Sequence, residues 1–282
     1  MKGPPRRSTL LLAAGLLRDF PRAALLSLRL RRELAEVRQI CLFVGTPKTG
    51  HSLVGALLDA HPRMAIAHEA DVALLLRAGF RRRQILALLV DYSRRQARRG
   101  RRESGYSYDV PGQWQGRWER LRVVGDKHAE GLTLRLGLRP ALWERLERTL
   151  GRPRFVHVVR NPFDAISSLT RPASRRLDLA AATDYHLRLC ETVRELRGRL
   201  ADDRYHELRH EALIAAPADE LARLARFLGE EAPADWLAAC SAVVFPAPRR
   251  AREGGDWSPA AVRRVESRLA EFPFLAGYSF DG

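Results

Sequence analysis

The feature that most constrains this chain is a run of five apolar residues, Ile40-Cys41-Leu42-Phe43-Val44, that stops at Gly45. A strand with no polar alternation has no face to give to water, so helices must cover its sheet on both sides. The loop Thr46–Gly50 follows, and then Leu53, Val54, Leu57 and Leu58 recur at helical spacing until His61-Pro62 stops the helix. Strand, glycine-containing loop and helix in that order aim backbone N–H groups at a bound anion.

The alternation continues downstream. Met64–Ala67, Arg122–Gly125, Arg154–Val159 and Tyr205–Leu208 read as further strands. Helical patterns cover Asp71–Ala78, Arg82–Gln96, Leu177–Leu200, Asp219–Leu228 and Pro259–Ala270. Between them, Arg101–Arg117 is a polar, aromatic loop, and Arg249–Asp256 is Arg-rich with little helical signal. Strands alternating with helices predict an α/β fold of three layers, a central parallel sheet with helices on both faces. No linker or repeat interrupts residues 40–282, which are taken as one domain, preceded by a basic amphipathic helical segment, 1–39.

Composition sets limits on function. With 282 residues, 46% of them hydrophobic, the chain can bury a sizeable core. No run approaches the roughly 20 apolar residues that span a bilayer. Cys41, Cys190 and Cys240 are too few and too scattered for a disulfide framework or a zinc site, which fits a reducing, cytoplasmic compartment. Lys2, Arg6 and Arg7 followed by Leu10–Leu17 imitate the start of a signal peptide, but Arg18-Asp19-Phe20-Pro21-Arg22 follows without a small-residue cleavage site. A helix across Ala23–Val37 is expected instead, packed on the domain or peripheral to an anionic membrane surface. The net charge of +16 is patchy. Residues 1–39 carry nine basic and three acidic residues, and residues 77–102 carry ten arginines against Asp91 alone. Such patches face phosphate, sulfate or anionic lipid. No motif for specific nucleic-acid recognition accompanies them. Among 49 basic residues only Lys2, Lys48 and Lys127 are lysines, which marks the two interior ones as candidates for a task that a compact point charge performs and arginine does not.

Two short segments carry the chemistry. Gly45-Thr46-Pro47-Lys48-Thr49-Gly50-His51-Ser52 matches the phosphate-binding pattern G-x-x-x-x-G-K-[ST] everywhere except the lysine, where His51 stands. The cation stands three residues earlier, at Lys48. This predicts a P-loop-like fold but argues against an ordinary ATPase, which needs that lysine on the terminal phosphates. Arg160 ends the strand Arg154–Val159, and Ser168 lies eight residues later on the following helix. A guanidinium and a hydroxyl at the carboxyl end of a sheet can hold a second phosphate.

Together, Pro47-Lys48-Thr49-Gly50-His51-Ser52 and Arg160-x7-Ser168 resemble the sulfotransferases that use 3′-phosphoadenosine-5′-phosphosulfate (PAPS). Leu58-Asp59-Ala60-His61-Pro62, Gly125-Asp126-Lys127-His128 and the 206–213 segment are similar to further stretches of bacterial and Golgi-type or tyrosylprotein relatives. The resemblance implies that residues 47–52 hold the donor's 5′-phosphosulfate and that Arg160 and Ser168 hold its 3′-phosphate, with Arg249 and Arg250 closing over it. It implies Glu69 as base and Lys127 near the transferring group; from the loop's geometry Lys48 is expected on the leaving phosphate, and Asp126 is expected to orient its neighbour Lys127. One departure stands out: relatives carry a hydroxyl residue where this chain has His51, which removes one ligand and adds a titratable ring.

The expected activity is therefore in-line sulfuryl transfer from PAPS, leaving PAP, to a hydroxyl or amine on a small-molecule, glycan or peptide acceptor, with no metal. The tyrosines, tryptophans and amides of Gly105–Trp118 suit a sugar or phenol. Two alternatives compete. A magnesium- and ATP-dependent small-molecule kinase would need Ser52 and Asp126 on the metal, and a noncatalytic binder would use the basic surface alone.

Overall fold

The computed structural model describes residues 19–103, 106–172, 174 and 177–282; the Leu10–Leu17 run lies outside them. Helix α1 covers 19–29 and α2 covers Arg31–Ala35. Then follow β1 (Gln39–Val44), α3 (His51–Asp59), β2 (Met64–Ala67), α4 (Val72–Ala78) and α5 (Arg82–Arg98). A small antiparallel pair, β3 (Arg102–Glu103) and β4 (Tyr106–Ser107), precedes β5 (Val123–Asp126). Helices α6 (Ala129–Leu138) and α7 (Ala141–Leu150) lead to β6 (Arg154–Val159). Helices α8 (Pro162–Thr170) and α9 (Leu179–Arg199) lead to β7 (Tyr205–Arg209). After it come α10 (His210–Ala215), α11 (Pro217–Phe227), α12 (Ala234–Val243) and α13 (Pro259–Leu269).

Five strands form one all-parallel sheet in the order β2-β5-β1-β6-β7. Side chains alternate across it with the strand period of two. In β1, Ile40, Leu42 and Val44 enter one core cluster with α5 and α7, while Cys41 and Phe43 enter another with α3 and α11. In β2, Ala65 and Ala67 face the first cluster and Met64 and Ile66 the second. The sheet is thus buried on both faces, as the unbroken apolar run of β1 requires.

The order decides where a ligand can bind. From β1 the chain moves outward to β2 and back to β5 on one side, then crosses to β6 on the other. The loops after β1 and β6 therefore diverge at the carboxyl edge, the crevice that open α/β sheets use for ligands.

Three expectations are revised. The Ala23–Val37 helix is two helices joined at Leu30, although Leu30 N–H still donates to Leu26 O (2.9 Å) and Leu34 N–H to Leu30 O (2.9 Å). Helices α6, α7, α10 and α12 were not expected; α6 contains Gly131 and Gly137, and α12 is apolar nearly all round, so neither displays a clean 3.6-residue stripe. The Arg101–Arg117 loop contains the β3–β4 pair and is tied to the body by Asp59. This fully buried carboxylate accepts from Ile66 N–H (2.5 Å), Ser93 Oγ (2.7 Å), Gly116 N–H (3.0 Å) and the Arg101 guanidinium. Burial lowers the Arg101 pKa to about 10. Removing one member of such a buried pair typically costs about 3–5 kcal/mol.

Candidate active site

The β1–α3 loop is braced from four directions. Gly45 N–H donates to Thr133 Oγ1 on α6 (2.9 Å). Thr49, buried beneath the loop, has Oγ1 3.1 Å from Thr46 O and 3.1 Å from His51 Nδ1. His51 Nε2 faces Val44 O at 3.3 Å; a carbonyl only accepts, so this nitrogen carries the ring proton. From across the switch point, Arg160 Nη1 donates to Lys48 O (3.3 Å). Gly50, at φ 106°, caps α3 without any side-chain cap, so the first-turn N–H groups of the helix keep the positive end of its dipole open. A Cβ on Gly50 would also meet His210 Nδ1 at 2.9 Å.

His51 is not a proton carrier. Burial, with His157 and Lys127 nearby, pushes its pKa down to about 3, and its ring meets Phe43 edge-on at 6.0 Å. The imidazole is a neutral strut of the loop.

Lys127 is the hinge of the opposite wall. It is almost fully buried, and its Nζ donates to Ser52 Oγ (2.8 Å) and to Glu69 Oε1 (2.8 Å). Its stem reaches that position because Gly55 on α3 has no side chain; a Cβ there would lie 2.9 Å from Lys127 Cβ. Glu69 itself has φ 61° and Lys48 has φ 68°, left-handed geometry that costs a non-glycine residue about 1–2 kcal/mol. Strain of this kind gathers at functional sites and persists only where surrounding bonds hold it.

Asp126 supplies one such restraint. It does not orient the Lys127 side chain, as the sequence suggested. Its buried carboxylate accepts from Ala70 N–H (3.0 Å) and Val72 N–H (3.2 Å), clamping the turn that carries Glu69. The kinase alternative needs that carboxylate on a metal with Ser52, but its oxygens face backbone N–H groups and Ser52 Oγ accepts from Lys127.

These groups surround one cavity of about 740 Å³. Of the expected residues, Pro47, Lys48, Gly50, His51 and Ser52 line it from the first loop, and Arg160, Ser168 and Arg249 line it from across the switch point. Glu69 and Lys127 complete the wall. Thr49 lies beneath the loop, and Arg250 stays outside, more than half exposed and 3.6 Å from Glu253. Among the described residues the lining carries five cations, Lys48, Lys127, Arg160, Arg171 and Arg249, against the carboxylates Glu69 and Glu130. Arg160 is buried, its guanidinium spans Lys48 O and Arg249 O, and its Nε has no hydrogen-bond partner among the described residues. Ser168 Oγ donates back to Asp164 O (2.8 Å), so it can donate to a ligand only by giving up that bond.

A sequence model described as "Sulfotransferase family" matches residues 42–234, about two thirds of the chain and both cradles of the cavity. The chain belongs to the sulfotransferase family. No curated protein matches its sequence. Solved sulfotransferases share the fold. Against the sulfotransferase domain from the Curacin biosynthetic pathway the identity is 14%, covering 84% of this chain and 100% of that one, with a TM-score of 0.51. Sulfotransferase STF9 from Mycobacterium avium is 15% identical over 93% of this chain and 81% of its own, TM-score 0.51. STF1 from Mycobacterium tuberculosis H37Rv is 13% identical over 93% and 82%, TM-score 0.51.

Several lining residues of this sulfotransferase escaped the sequence reading. His210 packs on Gly50 from the carboxyl end of β7, and burial pushes its pKa down to about 4. Its place one residue past a strand end was the available signal. Glu130, which accepts from the Tyr185 hydroxyl, and Phe245 had none, because both arrive from elements not expected to reach the site. Tyr106 and Tyr108 do line the cavity, and Tyr106 meets Phe245 edge-on at 5.6 Å. The amides expected beside them face inward. Gln115 bonds Ala56 O (3.0 Å), Tyr108 O (2.9 Å) and Val110 N–H (2.9 Å), bracing the loop from within.

The loop bearing Arg249 is anchored by a buried pair: Asp164 accepts from Arg252 N–H (3.0 Å) and Arg252 Nη1 (2.7 Å). Arg249 Nη1 then reaches Tyr106 OH at 3.2 Å, joining the two sides of the cavity mouth. No helix among the described residues is long and apolar enough to cross a membrane.

Proposed function

We propose that this sulfotransferase takes PAPS as donor and moves its sulfuryl group in line to a hydroxyl or amine of a small-molecule, glycan or peptide acceptor. The observation that carries the reading is the meeting of Lys48 and Ser52 with Arg160 and Ser168 around one cavity, although more than a hundred residues separate the two pairs. A ligand with phosphate at both ends of a ribose needs two such cradles. The Nε of buried Arg160, without an acceptor among the described residues, supports an anion beside it, because a buried donor without an acceptor is costly.

The donor supplies an activated sulfuryl group and a phosphate leaving group. The open N-terminus of α3 and Lys48 neutralise charge that builds on the leaving oxygen as the sulfur–oxygen bond breaks. Glu69 accepts the proton of the attacking hydroxyl or amine, and Lys127, within 2.8 Å of both Glu69 and Ser52, holds base and phosphate loop in register. Arg160 grips the 3′-phosphate, Ser168 joins it by turning its hydroxyl, and Arg249 covers the nucleotide from the 249–254 loop. Tyr106 and Tyr108 give the acceptor a flat, partly apolar wall.

Calorimetric titration with adenosine 3′,5′-bisphosphate tests the donor assignment. Lys48→Ala and Arg160→Ala should each weaken binding roughly 10- to 100-fold, the worth of a charge-assisted hydrogen bond or two. No binding by the wild type, or equal binding by both variants, would refute it.

A further inference from the structure

The described part of the basic N-terminal segment, from residue 19, packs on the arginine-rich segment 77–102. Phe20 stacks on Phe80 at 4.0 Å, Arg22 ion-pairs with Asp91, and Ala23, Leu30 and Leu34 enter the core cluster of α5. Helices α1 and α2 thus form a further layer outside α5. Their inward stripe, Ala23, Leu26, Leu30 and Leu34, recurs at intervals of three and four and is satisfied by that core. A second stripe lies on the opposite side of the same helical track: Leu25, Leu28, Arg29 and Arg32. Leu25 is 49% exposed and Leu28 is 69% exposed, and both arginines are exposed. The neighbouring carboxylate Glu36 is turned away from this stripe, to Arg120 at 2.5 Å. Arg81, Arg83, Arg98 and Arg99 add exposed cations at the two ends of α5.

We propose that this outer face of α1 and α2 docks on an anionic lipid bilayer. A helix whose core-facing stripe is already filled gains nothing from two further exposed leucines in water. Flanked by arginines, they can enter the boundary between headgroups and acyl chains while the guanidiniums meet lipid phosphate. A nucleic acid would use the arginines and leave the leucines unused, so charge complementarity together with the leucines favours a membrane. The surface is separate from the transfer site, and its test does not depend on turnover.

Co-sedimentation of the full chain with vesicles tests it. Wild type should pellet with phosphatidylcholine–phosphatidylglycerol vesicles, not with pure phosphatidylcholine, and should be released by high salt. Leu25→Ser/Leu28→Ser should lower binding at least tenfold with an unchanged melting curve, because neither side chain is packed in the fold. Arg29→Glu/Arg32→Glu should do the same. Three outcomes overturn the proposal: no pelleting with the anionic vesicles, undiminished pelleting of the leucine variant, or duplex DNA binding that outlasts vesicle binding and ignores the leucines.

Discussion

Glu69→Gln separates chemistry from donor binding. The amide keeps the size of the carboxylate, and its oxygen can still accept from Lys127 Nζ, now 2.8 Å from Glu69 Oε1. Ser52, the other partner of that ammonium, is undisturbed. What disappears is the ability to take the acceptor's proton. General-base assistance is worth about 10²–10⁴ in rate, so kcat should fall by that factor, equivalent to roughly 2.7–5.5 kcal/mol of barrier. The KM for PAPS and the affinity for PAP should hold, because the cradles at 47–52 and Arg160 are untouched. The assay is transfer of label from PAPS across an acceptor panel, paired with calorimetry of PAP binding. Lys127→Met is the contrasting variant: it loses both hydrogen bonds and should reduce kcat and donor affinity together. Glu69→Gln turning over at the wild-type rate would remove Glu69 as the base; a loss of PAP binding equal to the loss of rate would make its role structural.

Other perturbations have directions set by the same geometry. Gly50→Ala must hold φ 106° and place a Cβ 2.9 Å from His210 Nδ1, so it should weaken PAP binding about tenfold or more and lower the melting temperature, with backbone strain alone costing about 1–2 kcal/mol. Asp126→Ala should cost about 1–3 kcal/mol in denaturant unfolding by orphaning two buried N–H groups, and should lower kcat more than PAP affinity, because the turn it clamps carries Glu69. Burial holds His51 and His157 at pKa values of about 3, and His186 and His210 at about 4. The unfolded chain binds these protons near pH 6.5 and the folded chain does not, so this contribution to stability is complete above pH 6.5 and is lost as pH falls toward 3–4. Melting curves should show it, each histidine contributing up to about 1.4 kcal/mol per pH unit in that window; equal stability at pH 7 and pH 5 would refute the buried neutral assignment.

The sequence by itself determined the layers and the phosphate loop. The apolar run ending at Gly45 required a sheet covered on both faces, and β2 and β6 match their expected bounds, because the period of a buried strand is a local property. Arg160 could be picked out because it directly follows a strand, where ligands meet an open sheet, and Lys48 because it is a rare lysine in the loop after one; Glu69 was picked out by the family resemblance. Tertiary structure alone decided what the polar side chains do. Asp126 turned out to hold backbone, Gln115 to brace a loop, His51 to be a neutral strut and Arg250 to stand apart, while His210, Glu130 and Phe245 arrived at the cavity from distant segments. The physical reason is range. Hydrophobic periodicity is written into neighbours three or four residues apart, whereas a carboxylate or amide bonds whichever donor the folded chain brings within 3 Å. That partner depends on strand order, here on β6 crossing to the far side of β1.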